Sequence, residues 1–251
     1  TDTNILYKYD GTPTNVDFGV GGKSLYGARF NGSSSYISIP QGSLPVGASA
    51  RTVSMWINTT QTTLAELYGY GVDGNNLYYA VNINAAAGKV GTAFYANDHN
   101  FTASVIDGAW HHIVSVYNGS TVEMYVDGQS VGSATAGAIN TSAAGGPKIG
   151  KYNYTGDIDQ VRVFSKALSS AEVGKLYGNG AGEIACAYTS TTDNAAYPIA
   201  NTAYYKLDNN SKDSARSTGK FNEGAIFNGS TSYINTGFTW PGGTQFSISV
   251  W

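Results

Sequence analysis

The feature that most constrains this chain is an internal repeat. The segment GARFNGSSSYI at residues 27–37 returns as GAIFNGSTSYI at residues 224–234, with nine of eleven positions identical. Two flanking segments match in the same order, residues 6–10 with 204–208 and residues 53–56 with 248–251. The offset is 197 residues in the middle block and 195 downstream. Three ordered matches at nearly one offset predict a repeating unit of about 200 residues.

The repeat sets the predicted domain organisation. We expect a complete first domain at residues 1–178, a linker without periodicity at 179–202, and the N-terminal part of a second copy at 203–251. The last six residues, FSISVW, alternate apolar and polar side chains and predict a strand. An unpaired apolar strand at a chain end would promote aggregation, so we expect the natural protein to continue past residue 251. The alternative is a degenerate second copy that docks on the first.

Short runs with a period of two dominate the first copy. Gly is frequent at 32 of 251 residues and charged residues make up only 12%, which suits short strands joined by tight turns. Asn118-Gly119 and Asp127-Gly128 are hairpin turn signals. This pattern predicts an all-β sandwich or barrel. The predicted strands are residues 51–58, 64–70, 77–84, 90–95, 111–117, 121–126, 129–134 and 157–164.

One short helix is predicted after the last of these strands. Ser169 precedes Glu172 by three residues, which is the spacing of a capping box. Leu168 can pack on Val173 as a hydrophobic staple, and Gly178 is a stop signal.

Charge and hydrophobicity exclude several classes of protein. The net charge is −3 with no cluster of basic residues, so we expect no nucleic acid partner. No apolar run is long enough to span a bilayer, so we expect no membrane insertion. The single Cys186 cannot form an intrachain disulfide framework. Low charge with abundant Asn, Ser, Thr and Tyr fits an extracellular or virion surface.

Four segments of the first copy resemble the laminin-G-like domains of the concanavalin A-like lectin and glucanase family. The resemblance implies an antiparallel two-sheet jelly-roll sandwich with six or seven strands in each sheet, and neighbouring N- and C-terminal strands. It also implies tandem arrays, as in phage tail and capsid-surface proteins or bacterial surface adhesins. The segments are GARFNGSSSYISIP (27–40), TVSMWI (52–57), WHHIVSVYNGSTVEMYVDGQSVG (110–132) and GDIDQVRVFSKALSSAEVGKLY (156–177).

Catalysis is not expected. Retaining glycosidases need two carboxylates about 5 Å apart, and the resemblance places such residues as two Glu flanking an Asp on one strand. The corresponding strand here has Asp157 and Asp159 but no Glu at either end. His111 and His112 are adjacent in a predicted strand and point to opposite faces, so they cannot chelate one metal. We expect His112 near the core and His111 in solvent.

Calcium is the one cofactor that the sequence suggests. Ca²⁺ prefers six to eight oxygen ligands, and domains of the resembled fold often hold one near their terminal strands. Asp17 and Asp157 could converge there, with Asp213 in the place of Asp17 in the second copy. The alternative is that Asp157 hydrogen-bonds loop backbone and that Asp17 is simply exposed.

Glycan binding is the function that the resemblance implies. Aromatic side chains combined with amides and carboxylates can hold a sugar, and two stretches offer such groups. The candidate ligand-binding residues are Tyr68, Tyr70, Asp73, Asn75 and Tyr78 in one stretch, and Asn97, Asp98 and His99 in the other. The alternative is that the tyrosines alternate between core and surface as ordinary strand residues.

The predicted function is therefore a non-enzymatic binding module that recognises a carbohydrate or a host-surface receptor within a tandem-repeat structural protein. The alternative is a purely structural virion or surface component, which contacts other copies or other virion and surface proteins without binding glycans. A glycosidase is the least favoured interpretation.

Overall fold

The computed structural model describes residues 12–178, apart from 24–25, 40–41, 43, 85–88 and 138, together with 203–205. Within these ranges the chain forms two antiparallel sheets and one short helix, which confirms the predicted all-β, two-sheet sandwich. The linker at 179–202, the second copy beyond residue 205 and Asp213 lie outside the described residues. The first eleven residues also lie outside them, so the predicted pairing of the terminal strands stays a prediction.

The fifteen described strands divide between the two sheets. Sheet A has seven strands in the order β1-β4-β13-β6-β7-β8-β9, and sheet B has eight, in the order β12-β11-β10-β5-β14-β3-β2 with β15 also on β14. The bounds are β1 (Thr12–Thr14), β2 (Asp17–Gly21), β3 (Tyr26–Asn31), β4 (Tyr36–Ser38), β5 (Arg51–Asn58), β6 (Ala65–Gly71), β7 (Tyr78–Asn84), β8 (Lys89–Ala93), β9 (His99–Thr102), β10 (Trp110–Tyr117), β11 (Thr121–Val126), β12 (Gln129–Thr135), β13 (Lys148–Ile149), β14 (Thr155–Phe164) and β15 (Ala203–Tyr205).

Local sequence explains the central meander of sheet B. The Asn118 side chain accepts hydrogen bonds from the backbone of the turn that joins β10 to β11. The next turn has Asp127 at φ 50° and Gly128 at φ 78°, a left-handed pair that Asp and Gly tolerate best. Strand β9, which begins at His99, is absent from the strands predicted from the sequence. That edge strand is set by backbone pairing with β8, and its HNFT sequence has no apolar alternation.

The predicted helix is present as α1 (Ser170–Tyr177), with the Ser169–Glu172 capping box and Gly178 in the left-handed conformation. Val173 and Leu176 are its buried residues. They pack on a second, smaller apolar cluster on the outer face of sheet B, distinct from the main core between the sheets.

An arginine lies inside the main core. Arg51 is fully buried, and its guanidinium carbon lies 5.3 to 5.8 Å from the ring centroids of Tyr70, Tyr79 and Tyr117. These rings offer their π faces to the cation, and among the described residues no carboxylate forms an ion pair with it.

Hydrogen bonds compensate the burial of this charge. Arg51 donates to the carbonyl oxygens of Gly47 at 2.6 Å and Ser49 at 2.9 Å, and to the hydroxyls of Tyr70 and Thr141 at 2.9 Å. A buried cation is tolerated when its donors are satisfied in this way. The guanidinium thereby joins two loops to the tyrosines of sheet A.

We predict that Arg51→Met destabilises the chain by about 3–5 kcal/mol, because it leaves several buried acceptors without a donor. Urea unfolding followed by fluorescence measures the change in free energy. Lys166→Met is the matched control: its side chain is half exposed, and its surface pair with Glu172 contributes about 1 kcal/mol or less. Equal losses in the two variants would contradict the role assigned to Arg51.

Candidate functional site

A cavity of about 270 Å³ opens on the outer face of sheet A. Its walls come from β6, β7, β8 and β9, from the turn between β6 and β7, and from the loops that follow β8 and β13. Apolar, aromatic, amide and carboxylate groups are combined in it, as in sites for small polar ligands. The lining residues are Leu64, Ala65, Glu66, Asp73, Tyr78, Asn82, Ala93, Tyr95, Asp98, Asn100 and Tyr152.

A row of three polar side chains and one glycine crosses four strands beneath the cavity. In the sheet register Glu66 is opposite Asn82, Asn82 is opposite Gly91, and Gly91 is opposite Asn100. Gly91 leaves room between the two amides, since a Cβ built there would lie 2.6 Å from Asn82 Oδ1 and 2.5 Å from Asn100 Oδ1. Asn82 Oδ1 is buried and accepts no hydrogen bond from any described residue.

Small residues next to this row deepen the recess. Gly69 is opposite Ala80, which is opposite Ala93. The neighbours of Ala80 along β7, Tyr79 and Val81, point to the other face and belong to the core. Large side chains therefore fill the inner face of these strands, while small ones leave space on the outer face.

The carboxyl group of Glu66 is held at the edge of the cavity by a short chain of hydrogen bonds. Tyr78 Oη donates to Glu66 Oε1 at 2.7 Å, and Lys151 Nζ donates to Tyr78 Oη at 3.3 Å. Gly69 makes this possible, because a Cβ there would lie 2.6 Å from the Glu66 oxygen. Burial raises the pKa of Glu66 to about 7, although Tyr78 and Lys151 oppose the shift.

Two tyrosines stand at the rim of the cavity with about half of their surface exposed, Tyr95 at 48% and Tyr152 at 50%. Both have left-handed backbones, with φ 60° and φ 50°. This conformation is unfavourable for a bulky residue and persists where the surrounding structure requires it, often at binding sites. Lys151 Nζ lies 4.1 Å from the ring centroid of Tyr152 and supports that ring from one side.

The structure brings three of the eight predicted ligand-binding residues into the cavity: Asp73, Tyr78 and Asp98. Asp98 also accepts a hydrogen bond from the backbone of Phe94 at 3.0 Å, which fixes the loop that carries Tyr95. Asn75 is exposed on the turn before β7 and does not line the cavity.

The other predicted residues have structural positions. Asn97 donates to Asn76 and to the carbonyl of Ala136, which ties its loop to two neighbouring segments. His99 is half-buried against Phe94, with its Nε2 atom enclosed. It points away from the cavity because its opposite residue in β8, Thr92, faces the core.

The placement of Tyr68 and Tyr70 corrects the sequence-based prediction. Both side chains are fully buried in the core between the sheets and expose no surface to a ligand. A bulge between Glu66 and Tyr68 shifts the alternation of β6, so Glu66 faces the cavity while Tyr68 and Tyr70 face inward.

Sequence reasoning missed Glu66, Asn82 and Tyr152 as cavity residues. Glu66 and Asn82 are polar positions in otherwise apolar strands, AELYGYG and YYAVNIN, and that contrast was an available signal. No local pattern singles out Tyr152, because it joins the site only through the pairing of β13 with β6.

Arg29 lies between Asp17 and Asp157, the two predicted calcium residues of the first copy, in the sheet register. Arg29 is opposite Asp17 in β2 and opposite Asp157 in β14. Its Nε and Nη2 atoms donate to the two carboxylate oxygens of Asp157 at 2.8 and 2.9 Å. The described residues contain no group of three or more His, Cys, Asp or Glu side chains arranged for a metal. Asp17 and Asp157 therefore do not fit a calcium ion, since Arg29 already supplies the positive charge.

The two adjacent histidines, His111 and His112, form structural contacts. His112 is fully buried and hydrogen-bonded to Ser54 at 2.8 Å, as expected, and burial lowers its pKa to about 3. The expectation that His111 lies in solvent is wrong. Its ring lies between Asp127, at 2.7 Å, and Asp107, at 3.0 Å. Burial lowers the pKa of His111, but hydrogen bonds to these two carboxylates outweigh it and the net pKa is raised.

The two carboxylates of β14 that were considered for catalysis, Asp157 and Asp159, also have structural positions. Asp157 is paired with Arg29, and Asp159 is fully buried within β14. Neither lies in the cavity. Among the described residues, no helix is long and apolar enough to cross a membrane.

The fold and the cavity define a β-sandwich of the lectin type with a recess on one outer sheet face. Residues 31–174, more than half of the chain, match the laminin G family model described as the concanavalin A-like lectin/glucanases superfamily. The chain belongs to this family, as the sequence resemblance implied. No curated protein matches the chain.

Solved structures with a similar fold include two toxin binding domains and one domain of an enzyme. They are the binding domain of Paraclostridial Mosquitocidal Protein 1 (TM-score 0.56, 14% identity), the binding domain of botulinum neurotoxin serotype G (0.55, 14%), and domain 4 of AbnA, a GH43 extracellular arabinanase from Geobacillus stearothermophilus, in complex with arabinotriose (0.54, 20%).

The match to the mosquitocidal protein covers 69% of this chain and 52% of that structure, and the match to the neurotoxin covers 70% and 47%. The match to the arabinanase domain covers 65% of this chain and 82% of that structure. The chain thus spans about half the length of the two toxin domains. At these identities the similarity shows the fold alone.

We predict that Glu66→Gln stabilises the chain at high pH. The Glu66 carboxyl titrates near pH 7 when folded and near 4.5 when unfolded, so the folded chain binds the extra proton between these values. Stability from this group is fully present below pH 4.5, falls as the pH rises and is lost above about pH 7, a change of about 3 kcal/mol.

The glutamine keeps the acceptor for Tyr78 and removes the titration. Urea unfolding at pH 8 and at pH 4.5 should show the variant more stable than the parent at pH 8, with the difference shrinking at pH 4.5. Glu123→Gln, at a half-buried position in β11, is the control. A variant whose advantage is the same at both pH values would contradict the assignment.

Because Arg29 occupies the space between Asp17 and Asp157, we expect EDTA to leave the melting temperature unchanged. Differential scanning calorimetry with EDTA and with added CaCl₂ makes the comparison. A lower melting temperature in EDTA would contradict the expectation that Arg29 takes the place of a cation here.

Proposed function

We propose that the chain is a carbohydrate-binding module and that the cavity on sheet A holds one or a few sugar units. The single observation that supports this most is that two half-exposed tyrosines and several amide and carboxyl groups line one cavity. A sugar ring has an apolar face that packs on an aromatic ring and hydroxyls that exchange hydrogen bonds with amides and carboxylates. The module would act on an extracellular or virion surface, within a protein that repeats this domain.

The charges of the cavity indicate the class of sugar. Asp73 and Asp98 line it as carboxylates, and Glu66 joins them in the ionised form above about pH 7. Lys151, a cation beside the cavity, is engaged with Tyr78 and Tyr152. Anionic sugars would be repelled, so the proposed ligands are neutral or amino sugars.

Non-enzymatic binding agrees with the class of protein in which this fold recurs. Two of the similar structures are binding domains, and the third, domain 4 of an arabinanase, was solved with arabinotriose. What those proteins bind does not identify the ligand here, but it supports the use of this fold for recognition.

We predict that the folded chain binds at least one neutral or amino-sugar glycan on a glycan array. Tyr95→Ala and Tyr152→Ala should each weaken that binding about ten-fold or more, because each removes an aromatic surface at the rim. Isothermal titration calorimetry with the array hit measures the dissociation constants.

The matched control is Tyr36→Ala. Tyr36 is half-buried in β4 of the same sheet and does not line the cavity, so its loss should leave the dissociation constant unchanged. Absence of binding to any glycan by a folded chain would favour the purely structural alternative. Normal binding by both rim variants would move the site elsewhere.

A further inference from the structure

The cavity on sheet A carries an excess of acidic groups. Its lining includes the carboxyl groups of Glu66, Asp73 and Asp98, and no Lys, Arg or His side chain is among the described residues that line it. Neither Asp73 nor Asp98 forms a salt bridge with another described residue. Carboxylates that share one recess repel each other, so a bound cation would stabilise the ionised form of all three.

Glu66 is the carboxyl group on which this repulsion and the burial act most strongly. Its side chain is enclosed, with 5% of the residue exposed. Burial raises the pKa of Glu66 to about 7, and the nearby charge of Asp73 adds to the shift. The groups that oppose the shift are the Tyr78 hydroxyl in β7, Lys148 in β13 and Lys151 in the loop after β13. A carboxyl group that titrates this close to neutral pH can lose its proton when a charged ligand binds.

The rim of the same cavity is apolar. Four large hydrophobic side chains are exposed in the described part of the chain, and three of them line this cavity: Leu64, Tyr95 and Tyr152. The face of an aromatic ring attracts a cation and also packs on the apolar face of a sugar. A hydrated inorganic cation would gain little from these surfaces, so the combination of rim and carboxyl groups favours an organic cation.

We propose that the cavity selects a sugar that carries a protonated amine over the same sugar with a hydroxyl group in that place, and that binding of the ammonium group releases a proton from Glu66. This inference rests on the proposed function and narrows its ligands to amino sugars.

The release of a proton follows from linkage between the ligand and Glu66. A cation beside a carboxyl group favours the ionised form, and the ionised form in turn binds the cation more tightly. At pH 6 the Glu66 carboxyl is mostly protonated in the free chain, because its pKa is about 7. A sugar amine, like an α-amino group, titrates near pH 8 and is charged at pH 6. Affinity for the amino sugar should therefore rise as the pH rises from 5 to 7.

Isothermal titration calorimetry at pH 6 tests the proposal with two matched ligands. The probe is a β-1,4-linked tetramer of glucosamine, and its control is cellotetraose, a glucose tetramer with the same linkage and a hydroxyl in place of each amine. We expect the glucosamine tetramer to bind about ten-fold more tightly or better. Titrations in two buffers with different ionisation enthalpies count the protons released, and we expect about one for each ligand bound.

Two variants locate the effect in the cavity. Glu66→Gln should bind the glucosamine tetramer without releasing a proton and with an affinity that does not change between pH 5 and 7. Asp73→Asn alters an exposed turn residue, so it should fold normally, bind the tetramer several-fold more weakly and still release the proton. Glu123→Gln, outside the cavity, is the control and should behave like the parent chain.

Equal affinity for the two tetramers would overturn the proposal and leave the carbohydrate-binding function intact. Binding of the glucosamine tetramer by the parent chain without proton release would indicate attraction to the surface charge alone and would also overturn it. If neither tetramer binds while another glycan on the array does, the selection of an amine is wrong. If no glycan binds at all, the proposed function is wrong as well.

Discussion

Much of the described domain is arranged around the buried guanidinium of Arg51. Its guanidinium packs among Tyr70, Tyr79 and Tyr117, which come from both sheets. In the register Tyr70 is opposite Tyr79, and the next pair along the same two strands is Gly71 opposite Tyr78. Side chains alternate between faces, so the contact that fixes Tyr79 inward also fixes Tyr78 outward, toward Glu66. The geometry of the cavity thus depends on an interaction on the other side of the same sheet.

Much of the fold could be predicted from the sequence because the strands in its centre follow the period-two rule. The strand Arg51–Asn58 was predicted with the bounds that the structure gives it, and the turns at Asn118 and Asp127 carry residues that tolerate a left-handed backbone. The helix was predictable because the Ser169–Glu172 pair and Gly178 are local signals. The edge strand β9 and the two-residue strand β13 between β4 and β6 were not predictable, because their pairing partners rather than their own sequences specify them.

The cavity was only partly predictable, for a different physical reason. Asp73, Tyr78 and Asp98 were found because they lie in segments rich in polar and aromatic residues. Tyr70 has the same composition around it, yet it faces Arg51, since the bulge in β6 changes which residues point inward. Likewise Asp17 and Asp157 flank Arg29 in the sheet register, and Arg29 already supplies a positive charge to Asp157. A list of candidate groups does not reveal which groups already have partners.

The recess itself is made by side chains that are small or missing. Gly69 leaves space for the Glu66–Tyr78 hydrogen bond, and Gly91 leaves space between the amides of Asn82 and Asn100. Glycine inside a strand weakens the strand. Gly69 in β6 and Gly91 in β8 therefore lower the stability of sheet A unless the space that they leave is used. In both places neighbouring polar side chains of the sheet use the space: the Glu66 carboxyl lies over Gly69, and the amide oxygens of Asn82 and Asn100 reach over Gly91. Both glycines are therefore explained by the close approach of these side chains, which fixes the polar groups that line the recess.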